Sequence, residues 1–322
     1  MEDHRMTRSK VLKADALLLI LAAIWGSGFI AQKWGMDHVG PMTFIAIRLL
    51  LGTLFMAPWL FLRRPSSPPI PARLRTILPA LMGVVVAVFI GNWLQQAGLL
   101  TTEAGTTGFI TSLYVVFTPL LGLLIGYRAR GLTWLATVIA VAGLFLLTVA
   151  GRPVLNFGDL LILLCAIAWA AQILLVGWLV HRMDPIRLTF IQLFGAAVIS
   201  LIIAPFFEPV SMEAILEARW ELLYSGLVAS GLAFVIQVYA QRDAPPAHAA
   251  ILISLEAVFA VFFGWWLLGE VLTTTQFIGC AVMFVAIVVA ELKPPRQMDT
   301  AEVSDEVNLP RCEDDQQSHG PA

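Results

Sequence analysis

Apolar runs of about 20 residues, separated by short polar breaks, recur along almost the whole chain. Each is long enough for a helix to cross the roughly 30 Å hydrocarbon core of a bilayer. In that medium a backbone must satisfy its own hydrogen bonds, so runs of this kind fold as helices packed on helices. Only 13% of the residues are charged, against about 25% in soluble domains. The sequence therefore predicts an all-α integral membrane protein with the lipid bilayer as its surroundings, and excludes a nucleic-acid-binding role.

Ten spans are expected, at about 16–34, 42–62, 77–99, 106–126, 132–150, 159–179, 186–205, 221–240, 247–268 and 275–291. The first run is longer than a signal-peptide core and is taken as a span. Breakers such as Gly40-Pro41, Asp184-Pro185 and Pro245-Pro246 punctuate the connections. The segment 294–322, rich in acidic residues, Gln and Pro, predicts a disordered tail. With residues 1–15 placed in the cytoplasm, 16 of the 20 Lys and Arg fall on the cytoplasmic side and only Arg152 and Arg219 on the other. That bias places both termini in the cytoplasm.

The chain also resembles itself. An offset of 144 residues aligns Asp15 with Asp159, Trp25 with Trp169, Trp34 with Trp178 and Pro41 with Pro185. An offset of 142 aligns Gln95 with Gln237, Ser112-Leu113 with Ser254-Leu255, and Gly122 with Gly264. Two five-span repeats, 16–150 and 158–291, follow from these offsets. Because five is odd, the second is inverted in the membrane. Inverted repeats place a site near the midplane, between the halves, where rocking exposes it to each side in turn.

Candidate site residues are polar groups deep in the spans. Thr107, Thr111, Tyr114 and Thr118 share one helix face at spacings of 4, 3 and 4. Under the 142 offset Tyr114 corresponds to Glu256, a carboxylate near mid-bilayer that costs at least about 2.5 kcal/mol to place there if ionised. Glu256 is either a counter-ion for a substrate amine, a proton-coupling group, or a neutral acid bonded to another helix. Arg48, the other buried charge, either meets a substrate carboxylate, pairs with Glu256 or ties helices. Asn92, Gln96 and Gln237 offer amides that orient a polar ligand or join helices. Trp25 and Trp169 lie too deep for an interfacial belt and suit a cavity wall. Lys33 and Asp15, near span ends, are expected to snorkel to the interface.

The stretches "AAIWGSGFIAQKWGM" (22–36), "FIAIRLLLG" (44–52) and "SLEAVFAVFFGWWLLGE" (254–270) resemble the EamA-type branch of the drug/metabolite transporter superfamily. Two departures stand out. Ala257 replaces the usual Pro after Glu256, which weakens the expectation of a kink there, and "IGYRARG" (125–131) lacks the Gly-Glu that in the second half ends at Glu270. The resemblance implies a permease of a bacterial inner membrane. Such a permease would export amino acids or other small polar or amphipathic metabolites, coupled to protons or another ion or working as a facilitator. No nucleotide-binding loop occurs and no cofactor is expected. The alternatives are a non-transporting scaffold or sensor and a membrane-embedded enzyme. The latter is disfavoured by the scatter of the five histidines. The charge bias predicts that cysteines placed at Arg64 and Arg152 label from opposite faces of the membrane with an impermeant thiol reagent. Labelling of both from one face refutes this topology.

Overall fold

A computed structural model describes residues 8–62, 74–126, 131–148, 156–268 and 273–291. The expected tail (294–322), Glu270, Cys312, Arg64 and Arg152 lie outside these residues. Among the described residues the regular structure is entirely helical. It comprises α1 (Arg8–Gly35), α2 (Pro41–Leu62), α3 (Leu74–Leu99), α4 (Ala104–Ser112), α5 (Tyr114–Leu124), α6 (Gly131–Thr148) and α7 (Phe157–Leu179). These are followed by α8 (Pro185–Phe207), α9 (Met212–Glu217), α10 (Arg219–Leu223), a π-helical segment (Tyr224–Leu232) and α11 (Ala233–Ala240). The chain continues with α12 (Pro246–Ile253), α13 (Glu256–Leu268) and α14 (Thr274–Glu291).

Eight helical stretches among the described residues are long and apolar enough to cross a membrane. The fifth and tenth expected spans correspond to shorter apolar stretches, Gly131–Leu146 and Phe277–Val289. The segment α9, before the eighth span, was not foreseen, and α10 forms the start of that span.

The helix starts follow from local chemistry. Asn156 accepts from the Asp159 N–H at 2.9 Å while the Asp159 carboxylate accepts from the Asn156 N–H at 2.8 Å, a reciprocal capping box for α7. Asp184 accepts from the N–H groups of Ile186 and Arg187 at the start of α8, with Pro185 in the first turn where no donor is needed. The Glu208 carboxylate, beyond the end of α8, accepts from the N–H groups of Met42 and Thr43 at 2.8 and 2.9 Å. It thereby satisfies the free donors at the start of α2.

The surface is apolar and much of the interior polar. Leu54, Met82, Ile202 and Phe284 are exposed, whereas Gln96, Gln172, Gln192 and Gln237 are fully buried. This is the distribution a lipid-facing bundle requires. The broad packing pairs α2 with α8, α6 with α14, α3 with α7, and α1 with α11, α12 and α13.

Close approach depends on glycine. A Cβ on Gly98 would lie 2.7 Å from the Gly158 carbonyl, and one on Gly158 would lie 2.6 Å from the Gly98 carbonyl, so α3 and α7 touch backbone to backbone. Gly26, within the small-residue run of α1, meets the Glu256 carbonyl in the same way, at 2.7 Å. Gly98→Ala is expected to cost about 1–3 kcal/mol through overpacking, read as a lowered thermal midpoint of the purified protein in detergent. An unchanged midpoint would show that the α3–α7 crossing can relax.

Candidate functional site

Two spans are split at corresponding places. The fourth breaks at Leu113 between α4 and α5, and the ninth at Ser254-Leu255 between α12 and α13. At both breaks the backbone tightens to i→i−3 bonding. Leu113 N–H donates to Ile110 O at 3.2 Å, and Leu255 N–H donates to Leu252 O at 3.3 Å. The second break forms although Ala257 stands where relatives in the resemblance carry Pro; its N–H turns to Ser254 O at 3.2 Å. Proline was therefore unnecessary to interrupt the ladder. Ser112 Oγ donates to Ser254 O at 3.2 Å, joining the two breaks through residues 142 positions apart.

The breaks make Tyr114 and Glu256 the first residues of α5 and α13. Both side chains are buried and both line one central cavity. Glu256 faces Tyr114 and Ser112, yet neither the Tyr114 hydroxyl nor Glu256 Oε1 completes a hydrogen bond within the protein.

Arg48 from α2 reaches the cavity and donates to Asn92 Oδ1, while Asn92 Nδ2 donates to Val88 O at 2.7 Å. Arg48 and Glu256 thus share a cavity without pairing: the arginine is held by an amide. Gln95 lines the same wall and donates to Thr111 Oγ1 at 3.4 Å. An aromatic wall stands opposite, formed by Trp25, Trp169 and Phe234 with ring centroids 5.6–6.2 Å apart. Trp25 Nε1 also donates to Ala229 O, in the π-helical segment, at 3.0 Å. Gln237 completes the cavity beside Gln172, which bonds it in both directions.

Of the nine residues singled out from the sequence, eight line this cavity: Glu256, Tyr114, Trp25, Trp169, Arg48, Asn92, Gln237 and Thr111. Gln96 does not. It is buried beside the site with neither amide atom partnered. The hydroxyl stripe is also only half realised, because Thr118 turns back to Tyr114 O at 2.7 Å and Thr107 is buried away from the cavity. Asp15 does not snorkel: it is buried and bonds His248 Nε2 at 2.9 Å. Lys33 donates to Thr102 O at 3.3 Å, an acceptor at the turn after α3. For Asp15 a polar partner on a neighbouring helix outcompetes the interface, whereas half-buried Lys33 reaches a turn at a span end. Phe29, Gln32, Gln172 and Phe234 were missed. For Gln172, the signal was its place one turn after Trp169.

Five of the cavity's polar atoms lack a partner: Gln32 Oε1, Arg48 Nε, Tyr114 Oη, Trp169 Nε1 and Glu256 Oε1. Donors and acceptors are both represented. Buried polar groups left unpaired cost about 1–3 kcal/mol each; ten other such atoms lie elsewhere among the described residues, and what sets these five apart is the cavity they share, in which a polar ligand would find partners.

The model of the EamA-like transporter family matches residues 12–149 and again residues 156–291. The chain belongs to this family. It is 30% identical over 289 residues to an uncharacterized transporter of Archaeoglobus fulgidus, covering 88% of this chain and 87% of that one. It is 26% identical to the uncharacterized transporter YoaV of Bacillus subtilis, covering 83% and 92%. It is also 26% identical to the uncharacterized inner membrane transporter YedA of Escherichia coli K12, covering 88% and 92%. A solved crystal structure superposes with a TM-score of 0.71 over 87% of this chain and 98% of the other, at 17% identity, which establishes a shared fold. The protein is a multi-pass membrane transporter of the EamA type.

Asn92→Leu is expected to leave the buried Arg48 guanidinium without its acceptor. Such a loss costs about 1.5–3 kcal/mol, read as a fall in the thermal midpoint in detergent. Asn92→Asp keeps an acceptor in place and is expected to preserve the midpoint.

Proposed function

We propose that this EamA-type protein is a secondary-active or facilitative transporter that exports small polar or amphipathic metabolites, such as amino acids. It would work by alternating access through the central cavity. In this reading it crosses a bacterial inner membrane ten times, as two inverted five-helix repeats with both termini in the cytoplasm. The single observation that carries the proposal is the composition of the cavity wall. Five pairs of positions at the repeat offsets meet there: Trp25 and Trp169, Phe29 and Ile173, Asn92 and Phe234, Gln95 and Gln237, Tyr114 and Glu256. A cavity lined by both members of each pair is what a pseudo-two-fold axis through its centre would produce.

Further support comes from packing that survives exchange of the halves: α2 with α8, α6 with α14, and α3 with α7 answered by α11 with α1. The family model also matches twice, once in each half. The ligand chemistry follows from the wall. Arg48 and Trp169 present donors, Glu256 and Gln32 present acceptors, and the Trp25–Trp169–Phe234 cluster accepts an apolar or aromatic body. A molecule carrying both an amine and an acid suits that inventory. Glu256 serves it as counter-ion or exchanges a coupling proton.

A screen of metabolite tolerance and export in overproducing cells supplies the substrate, and proteoliposome transport then tests the site. If Glu256 is the counter-ion, Glu256→Gln is expected to raise the half-saturating concentration about 10- to 100-fold, the loss of one charge-assisted bond. If it carries the coupling proton, the variant is expected to lose the pH dependence of transport. Unchanged affinity, rate and pH profile would eliminate Glu256 from both roles.

A further inference from the structure

The helices around the cavity fall into two bundles. In one, α7 packs on α3, α4 and α5; in the other, α1 packs on the π-helical segment, α11, α12 and α13. Each bundle is tied at its periphery by a buried carboxylate. Asp15 of α1 bonds His248 of α12 at 2.9 Å, and Asp159 of α7 accepts from Thr102 Oγ1, at the turn before α4, at 2.8 Å. These ties lie within the bundles and occur in both. Between the bundles, the split spans cross at the Ser112–Ser254 contact.

A reciprocal amide pair also joins the bundles, and no such pair matches it at the opposite end, where Lys33 of α1 donates to Thr102 O at the turn after α3 at 3.3 Å. Along α7 and α11, Gln172 Nε2 donates to Gln237 Oε1 at 3.1 Å and Gln237 Nε2 donates to Gln172 Oε1 at 2.9 Å. One turn further along, Gln241 Nε2 donates to Ile173 O at 2.9 Å. Gln192 of α8 buttresses the clasp by accepting from Gln172 Nε2 at 3.1 Å. Both clasp residues line the cavity.

The counterpart seam runs between α1 and α3. There Gln95 occupies the place of Gln237, but Gly28 occupies the place of Gln172, so the same pair cannot form. Instead Gln95 makes its long bond to Thr111. One turn beyond Gly28, Gln32 donates back to Gly28 O at 3.1 Å and leaves its Oε1 buried and unpartnered. Gln32 and Gln95 therefore face the same cavity, unclasped, near the ends of their helices.

We propose that the Gln172–Gln237 clasp, extended by Gln241, is the gate that closes the cavity at the end where α7 and α11 terminate. Gln32 and Gln95 form the alternative clasp that closes the other end. The bundles rock about the Ser112–Ser254 crossing, and each clasp forms as the other opens. The reciprocal amide pair at one seam and the separate amides at the other are the two sides of one equilibrium, biased here toward closure by Gln172 and Gln237. This gating rests on the alternating-access reading above but is measured without a substrate.

The experiment uses the full chain with Cys165, Cys280 and Cys312 replaced and a single cysteine introduced at Ala229 in the cavity wall. Its labelling by an impermeant thiol reagent is compared from the two membrane faces. With both clasp residues present, labelling is expected from the face where α1 and α3 end. Gln172→Leu with Gln237→Leu is expected to open the opposite face and to reduce labelling from the first. Gln241→Leu, whose side chain lies outside the cavity, is expected to shift labelling in the same direction, which covers the case of a misfolded double variant. In a second readout, the pair Gln32→Cys and Gln95→Cys is expected to form a disulfide faster once Gln172 and Gln237 are replaced. Labelling unchanged by every clasp variant, or a 32–95 disulfide whose rate ignores the clasp, overturns the gate. If the accessibility shifts appear while no metabolite is transported, the gate stands and the transport reading fails.

Discussion

The contact between Ser112 and Ser254 is the constraint on which the rest of the site depends. Two membrane-spanning helices, each interrupted at its middle, cross where they are interrupted. Ser112 uses the Ser254 carbonyl, and the register of both following segments is thereby set. Tyr114 and Glu256 begin those segments, so their position on the cavity wall follows from the breaks rather than from packing of their own side chains. Gly26 matters for the same reason: its missing side chain lets α1 lie against the Glu256 carbonyl and fixes where α13 begins.

Polar groups in such an interior divide into those satisfied by the fold and those left for something else. Asn92 holds Arg48, Gln172 and Gln237 hold each other, and His248 holds Asp15. Interhelical bonds of this kind are worth about 0.6–2 kcal/mol, comparable to the cost of one unpaired group. A few such bonds can therefore select one packing of the bundles over another without making it irreversible. This is the energetic range a transporter requires, because a substrate supplying a few competing hydrogen bonds is enough to change the balance.

The sequence disclosed the membrane class and most of the cavity, because both are recorded in residue type. Charged and amide residues are rare enough in apolar spans that their positions point at the site, and eight of nine candidates line it. Position along a span, however, does not specify the facing helix. Gln96, one turn from Asn92, was expected beside it but lies off the cavity. Asp15 looked interfacial because its partner, His248, is distant in sequence. Phe234 and Ile173 were invisible for a different reason: apolar residues in an apolar chain carry no signal, although their offset partners Asn92 and Phe29 shared their fate. The break in the ninth span was obscured by Ala257, since without proline nothing in the composition announces an interruption.

The departures from self-similarity carry the remaining information. Where paired positions hold the same residue, as at Trp25 and Trp169, they build a wall that is indifferent to which half it belongs to. Where they differ, the two ends of the cavity become chemically distinct. Tyr114 against Glu256 gives the site a single carboxylate rather than two, avoiding repulsion between like charges on one axis. Arg48 against Gln192 puts the single cavity arginine on one side, and Gly28 against Gln172 removes half of an amide pair from one seam. A symmetric pair of repeats would hold its two access states at equal energy and bind its ligand in two equivalent orientations. In the proposed transport cycle these three differences break both degeneracies: the ligand takes one orientation, and the amide clasp favours closure of one end.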